Sequence, residues 1–524
     1  MSTIQPHTGT RLLSFVLVLF IVIALALAVN LVLTRSNVSA APTITIKVNT
    51  TADNNTANNF ISLREAILLV NGGTGGNGSR TGLGRSLTVS ETSQIVGGTI
   101  TSTGVAANIV FTDLPGGSTI VLSTGTISAN ESLPPILTSG VVIDGLNGAG
   151  GRITIDGSGA PAGSDIFWLG WAITTTNTVP VSDITIRSIV ISGAKRYGIH
   201  LNPARNSHIS QCDVTQSTSY AIFIQGKFGA ADGNIVEDCT VGNNQSLGVV
   251  INRPGASGNI IRNNRIGTNA LGTIAAPNTG AGIALFTGAF GNVITGNLIS
   301  GNTLQGIYFD GTAVSVTLNV VQGNRIGTAA NGTTALPNAQ GIVFDNGSIN
   351  NVIGGPGPGQ ANIIAFNTES GIVAVGNNTR GNKFSGNSIF QNGILGIDLL
   401  DDKLPTPGTS GGTVGPNRLA LFPTLTKAQA FGSFAVIAGS ASPNSTIELF
   451  VADLSLSDYA GGKTYCTTVT ADGSGAFKFV GTLTCLPAGS FTATSTLTDG
   501  STSEFGKKLA ITSLPSVFLP IVLR

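Results

Sequence analysis

The chain has 524 residues, 71 of them glycine, with 41% hydrophobic residues, only 10% charged residues and a formal charge of +1. That length allows two or three domains, and the near-neutral balance argues against a nucleic-acid partner, which needs clustered Lys and Arg. The glycines lie between short Ile, Val and Phe runs, so the composition describes many short buried strands joined by tight turns rather than a disordered stalk.

Arg11 precedes an apolar run from Leu12 to Leu33, followed by polar Thr34–Ser39 and then Ala40-Ala41-Pro42. Val38 and Ala40 take the small-residue positions before a secretory cleavage point. The run is also close to the ~20 residues of a membrane-spanning helix. Residues 1–40 are therefore expected to be a signal peptide cleaved after Ala40, with a retained N-terminal membrane anchor as the alternative. Both place the remainder outside the cytoplasm, secreted or at the cell surface. No Cys follows the run to carry a lipid anchor. Cleavage removes Arg11 and Arg35 and no acid, which takes the charge to −1.

Residues 41–110 read as an N-terminal capping region. Ile44 to Val48 alternates as a strand does, and a polar Asn-rich loop, Thr51 to Asn59, leads to Ile61-Ser-Leu-Arg-Glu-Ala-Ile67. Ser62 and Glu65 have the spacing of a capping box, each satisfying a backbone N–H at a helix start. Leu63, Ala66, Ile67 and Val70 fall on one face of that helix, which Asn71-Gly72-Gly73 ends. A short helix with one apolar side suits the open end of a stack of strands. Gly72 to Thr103 is low-complexity Gly/Thr/Ser and reads as a loop or irregular rungs. Short strands resume at Ile109, Thr119, Val141 and Ile153.

Repeats carry the fold. Asn297, Asn302 and Gly306-Ile307 share one spacing with Asn362, Asn367, Gly371-Ile372 and with Asn387, Asn392, Gly396-Ile397. Cys239, Asn244, Gly248-Val249 keeps it with Cys in the first slot, and Cys212 keeps it more loosely. Asn264 and Asn324 begin the same way but carry longer turns. First-slot residues at 212, 239, 264, 297, 324, 362 and 387 are separated by 27, 25, 33, 27, 38 and 25 residues. Steps of this size suit one coil of a three-sided parallel β-helix, with coils stacked ~4.8 Å apart. The first-slot side chains then form a ladder of amides along the stack. The expected fold is all-β, a right-handed parallel β-helix over residues 111–403. Cys212 and Cys239 would stack on adjacent coils. In-register neighbouring strands rarely give disulfide geometry, so two buried free thiols are favoured over a bridge.

These features have relatives. Ser62 to Ala66 match the CSLREA motif of exported bacterial β-helix proteins, with Ile61 in place of the leading Cys. The phrases GNRIGT, LPN, NVIGG and GIDL resemble repeats of the pectate-lyase-like superfamily over Ile184 to Asp398. Relatives often carry an acidic Asn-Asp-rich loop after the last coil. Here that stretch is Leu400-Asp-Asp-Lys403, which departs from the pattern, so no calcium site and no other cofactor is assigned.

Residues 404–421 form a Pro/Gly/Ser/Thr linker. Residues 422–513 alternate as short strands with a hairpin turn at Asp472-Gly-Ser-Gly475, which predicts a small antiparallel β-sandwich. It resembles an immunoglobulin-like module, and Cys466 and Cys485, flanking the hairpin, are expected to be bridged. The apolar tail 514–524 reads either as a sorting or anchoring signal or as a last edge strand.

Enzymes of the resembled superfamily include polysaccharide lyases, glycosidases and epimerases. The best acid pair is Asp310 and Asp345, each four residues after its coil's corner glycine on adjacent coils, where stacking would bring the carboxyls close. Asp310-Gly311 and Asp345-Asn346-Gly347 are also ordinary turn sequences, and other coils place Asn202, Asn252, Phe286 and Val375 at that slot. His200 and His208 lie on successive segments near Lys195 and Arg196, have no carboxylate partner at a recognisable spacing and read as surface or turn residues. Aromatic residues are only 6%, so no Trp/Tyr sugar-stacking platform is evident, and Trp168 and Trp171 read as a satellite cluster beneath a loop in preference to forming one. The favoured function is a non-catalytic adhesion, binding or structural role toward a polysaccharide or cell-surface ligand. The alternative is a carbohydrate-active lyase or hydrolase.

Overall fold

The computed structural model describes residues 42–513 apart from 79, 124–130, 173–175, 407–413, 454–457 and 460. The expected signal segment and the tail lie outside the described residues. Among the described residues no helix is long and apolar enough to cross a membrane.

Three sheets form the sides of a coil stack, parallel throughout except for Ile95–Val96, which pairs antiparallel with Ile44–Lys47 at the start of the first. The first holds twelve strands, the second ten and the third nine, ending at Lys383–Ser385, Ser388–Phe390 and Ile397–Leu399. Each strand pairs in register with the one a coil earlier and a coil later, as Ile199 does with Phe167 and Ile222. Inward Ile, Val and Phe side chains, among them Ile209, Ile261, Ile299 and Phe344, are fully buried in one continuous core. Strands of three residues with only one or two of them pointing inward can only be stable this way, because each coil covers its neighbours' edges.

Asparagine ladders run along three corners. Asn264, Asn297, Asn324, Asn362 and Asn387 continue from Cys212 and Cys239, each Nδ2 donating to the next Oδ1 at 2.8–3.0 Å. Asn244, Asn278, Asn302, Asn338, Asn367 and Asn392 form a second ladder. A third, from Asn234 through Asn259, Asn292, Asn319 and Asn351 to Asn382, was not read from the sequence. Its signal is the Asn that precedes each first-sheet strand from Ile235–Glu237 onward. Cys212 and Cys239 are buried free thiols, and the Cys212 N–H points to the Cys239 sulfur at 3.4 Å.

The two ends are closed differently. At the start, Ile44–Lys47 already belongs to the first sheet, beside Ala107–Val110. Helix α1, Leu63–Gly72, follows with its capping box formed by Ser62 and Glu65. Leu63 through Val70 are all buried, Arg64 and Glu65 included, so the helix is enclosed on every side rather than apolar on one. Arg64 donates to the Ser132 carbonyl and pairs with Asp53, and Asn71 bonds Pro135 and Leu137. The stretch expected to be a loop contains a second helix, α2, Val89–Ser93, with its own capping box from Thr88 and Glu91. Arg85 joins the two boxes, bonding Glu65 at 2.7 Å and Glu91 at 2.9 Å. Burial is the largest influence on Glu65 and holds its carboxyl above the usual range despite these partners.

At the far end the last coil meets a module of two four-stranded sheets. Cys466 and Cys485 are bridged within it. The module is not a detached bead on a linker. Glu448 accepts from Gly386 N–H, Asp453 from Gln391 N–H, and Glu504 from Leu399 and Thr406 N–H. Phe450 and Phe505 join the β-helix core itself. Asn417 extends the third ladder, accepting from Asn382 and donating to the Thr502 carbonyl. Three carboxylates thus receive N–H groups that the final coil leaves without a next strand.

Candidate functional site: the outer face of the third sheet

Along the third sheet the residue between two inward side chains points outward. Register places Trp168, His200, Phe223, Val250, Ala284, Tyr308, Val343, Val373 and Asp398 in one outward row. Two positions later a second row runs from Gln225 through Asn252, Phe286 and Asp310 to Asp345. On the other flank stand Tyr197, Tyr220, Leu247 and Gln305.

Trp168, Tyr197, Tyr220, Phe223, Phe286 and Tyr308 gather on this face. Three of the chain's five tyrosines lie on it, so the low aromatic content conceals a platform that stacking assembles from residues a coil apart. Trp168, His200 and Phe223 stack at 5.0 and 5.1 Å between centroids. Tyr197 and Tyr220 stack beside them at 5.2 Å. Farther along, Phe286 and Tyr308 meet edge to face at 5.9 Å. Between the two groups Val250 and Ala284 make a small-residue floor against which Leu247 and Phe286 pack. Tyr197, Tyr220, Phe286 and Tyr308 are half-buried. Burial pushes the Tyr197 phenol up to about 12 and raises those of Tyr220 and Tyr308.

Both histidines have carboxylate partners, contrary to the expectation from sequence. His200 is buried, its Nδ1 2.9 Å from Asp165 Oδ2. Asp165 also receives a bidentate pair from Arg196 at 2.7 Å. His208 Nε2 lies 2.7 Å from Glu237, which Arg262 also bonds. The spacing hid these pairs because each joins neighbouring coils of unequal length. Trp168 belongs to the platform, and its indole donates to the Asn202 carbonyl. Trp171 donates to Glu131, with Arg80 over its ring.

Asp310 and Asp345 are direct neighbours on adjacent strands. Asp310 Oδ1 accepts from the N–H and hydroxyl of Thr312 and from the Asn346 amide. Asp345 accepts from Asn346 N–H at 2.7 Å and from the Tyr308 hydroxyl at 3.2 Å. Both carboxylates thereby organise the turn, and among the described residues neither forms an ion pair. Beside them opens a polar concavity of about 590 Å³ lined by Thr312, Ser315, Asn346, Asn378 and Arg380. Among the described residues no group of three His, Cys, Asp or Glu side chains is placed to hold a metal ion.

The family model described as right handed beta helix region matches residues 173–355. This is a right-handed parallel β-helix protein. No curated protein matches the chain. Among solved structures, this β-helix protein is similar to the periplasmic alginate epimerase AlgG, at 15% identity over 57% of this chain and 72% of that one, TM-score 0.34. A mannuronan C-5 epimerase A-module from Azotobacter vinelandii gives 15% identity, 57% and 77% coverage and a TM-score of 0.34. Pectate lyase Pel9A gives 14% identity, 67% and 70% coverage and a TM-score of 0.29.

Proposed function

We propose that this is an exported β-helix protein that binds a polysaccharide along the outer face of its third sheet without cleaving it. The observation that carries the reading is the aromatic platform. Tyr197, Tyr220, Phe286 and Tyr308 offer half-exposed rings, and Gln225, Asn252, Gln305, Asp310 and Asp345 offer polar atoms on either side. Sugar rings stack on aromatic faces through their C–H surfaces while their hydroxyls need amide and carboxylate partners at the rim. The rings stand on coils stacked ~4.8 Å apart, in two groups on either side of Val250 and Ala284, so an extended glycan lying along the stack could meet both groups. The two carboxylates best placed for chemistry are already engaged by backbone, hydroxyl and amide donors. Residues 1–40 supply the route out of the cell, and the last module a spacer or second binding surface.

A second reading, a lyase or hydrolase, draws on the adjacency of Asp310 and Asp345 and on Arg380 in the neighbouring concavity. One experiment separates the two. The protein is incubated with a panel of neutral and acidic polysaccharides, with binding, new reducing ends and unsaturated products all recorded. Retention on a polysaccharide with no product supports the binding reading. Product that disappears in Asp310→Asn or Asp345→Asn overturns it.

A further inference from the structure

The last module faces two ways. Its sheet Thr446–Ala452, Gly462–Thr470, Ser490–Thr496 and Leu509–Ala510 meets the final coil, where Ser388 bonds the Lys463 carbonyl and Ser385 and Gly386 bond Glu448. The other sheet, of Thr424–Phe431, Phe434–Ser440, Ala476–Thr482 and Thr512–Ser513, covers the module's core with one side and leaves its outer side uncovered.

That outer side is apolar at one end. Phe431 and Phe434 stand directly opposite each other across their hairpin, 74% and 43% exposed. Val480, 55% exposed, lies in register with Val436 on the same face. Leu483 N–H donates to the Ser433 carbonyl, which ties the end of that strand to the same hairpin turn. Farther along the face stand Lys427 and Lys478, both exposed. The four strands contain no Asp or Glu. Ser513 pairs beside Ala430 at this tip. The chain continues from there into Leu-Pro-Ser-Val-Phe-Leu-Pro-Ile-Val-Leu-Arg, mostly apolar, without an acid and with one basic residue, Arg524.

A cluster of exposed large apolar side chains on a folded domain marks a contact surface. We infer that the outer face of this sheet is a lipid-facing surface that seats the module on an anionic membrane. Phenylalanines at a turn tip can enter the headgroup boundary while the flanking lysines meet lipid phosphates, the combination of apolar and basic contacts that gives interfacial binding. A second copy of the chain fits less well. A two-fold contact through this face would set Lys427 and Lys478 against the same lysines of the other copy with no acid to receive them.

The test uses the chain from Ala41 onward, which forms one compact unit and leaves out the apolar run 12–33 that would bind lipid by itself. Co-sedimentation is measured with vesicles of phosphatidylcholine alone and of phosphatidylcholine with phosphatidylglycerol. The chain is expected to sediment with the anionic vesicles, about tenfold less after Phe431→Ser with Phe434→Ser, and less after Lys427→Gln with Lys478→Gln in a salt-sensitive way. Both pairs are exposed turn or face positions, and an unchanged melting temperature shows the fold intact. Equal sedimentation of the parent and the phenylalanine variant overturns the proposal. So does a dimer in solution that the phenylalanine variant dissociates, which would make a second copy the occupant. Stronger vesicle binding after removal of residues 514–524 would make the tail the occupant and overturns it too.

Discussion

Single side chains hold this molecule together through partners a coil away. Asn324 shows how densely. Its Oδ1 accepts from the N–H and amide of Asn297, while its amide donates to Asn362, Ile294 and Gln322. Asn324→Ala strands several buried backbone and amide groups, each costing about 1–3 kcal/mol when left unpaired. A loss of at least a few kcal/mol in urea unfolding is expected, well beyond that of an exposed turn asparagine such as Asn331. Arg85 gives a second case at this scale. The Glu65 and Glu91 side chains beside it are 2% and 0% exposed, so Arg85→Ala leaves two buried carboxylates without their cation. Breaking buried pairs of this kind costs about 3–5 kcal/mol, and the fall in melting temperature should lessen as the pH is lowered and the acids protonate. These residues were partly legible in advance. The amide ladder follows from an equal spacing of asparagines in the repeats, whereas Arg85 lies in a low-complexity stretch with no period to mark it.

Elements and their junctions were harder to read. The capping box of α1 is legible as Ser62 and Glu65, whereas α2 is hidden in a low-complexity stretch, although Thr88 and Glu91 have the same spacing. Short helices of five residues lack the apolar period that reveals longer ones. The junction of coil and end module was invisible, because nothing in a Pro- and Gly-rich linker says that the module beyond it will fold back. Glu504 gives that junction a pH signature. Burial above all, then the nearby Asp398 and Asp402, pushes its carboxyl up to about 8 against the opposing pull of the Leu399 and Thr406 N–H groups. The folded state therefore holds a proton that the unfolded chain releases near pH 4.5. The stabilisation this gives is complete below that pH and declines by about 1.4 kcal/mol per pH unit up to about pH 8. Melting temperature should fall between pH 5 and pH 8, and Glu504→Gln should flatten the fall. A profile that is the same with and without the substitution would show that Glu504 is not the group responsible.

For the whole molecule, the coil stack was readable because one short pattern recurs with little change, and each recurrence reinforces the register of the next. The face was not readable, since its aromatic residues lie far apart in the chain and become neighbours only when coils of unequal length align. The rings of Tyr197 and Tyr220 lie 5.2 Å apart between centroids, and those of His200 and Phe223 5.1 Å. A platform of this kind asks little of each coil and gains its reach from repetition. Affinity electrophoresis on the polysaccharide that retains the protein best tests the account most directly. Phe286→Ala with Tyr308→Ala should lower retention about tenfold or more, given the few kcal/mol that stacking rings carry in binding sites. Phe431→Ser with Phe434→Ser, on the far module, should leave retention unchanged. If the Phe286 and Tyr308 pair is dispensable, or if the retained polysaccharide is degraded by the parent chain, the third-sheet face is not a non-catalytic glycan platform.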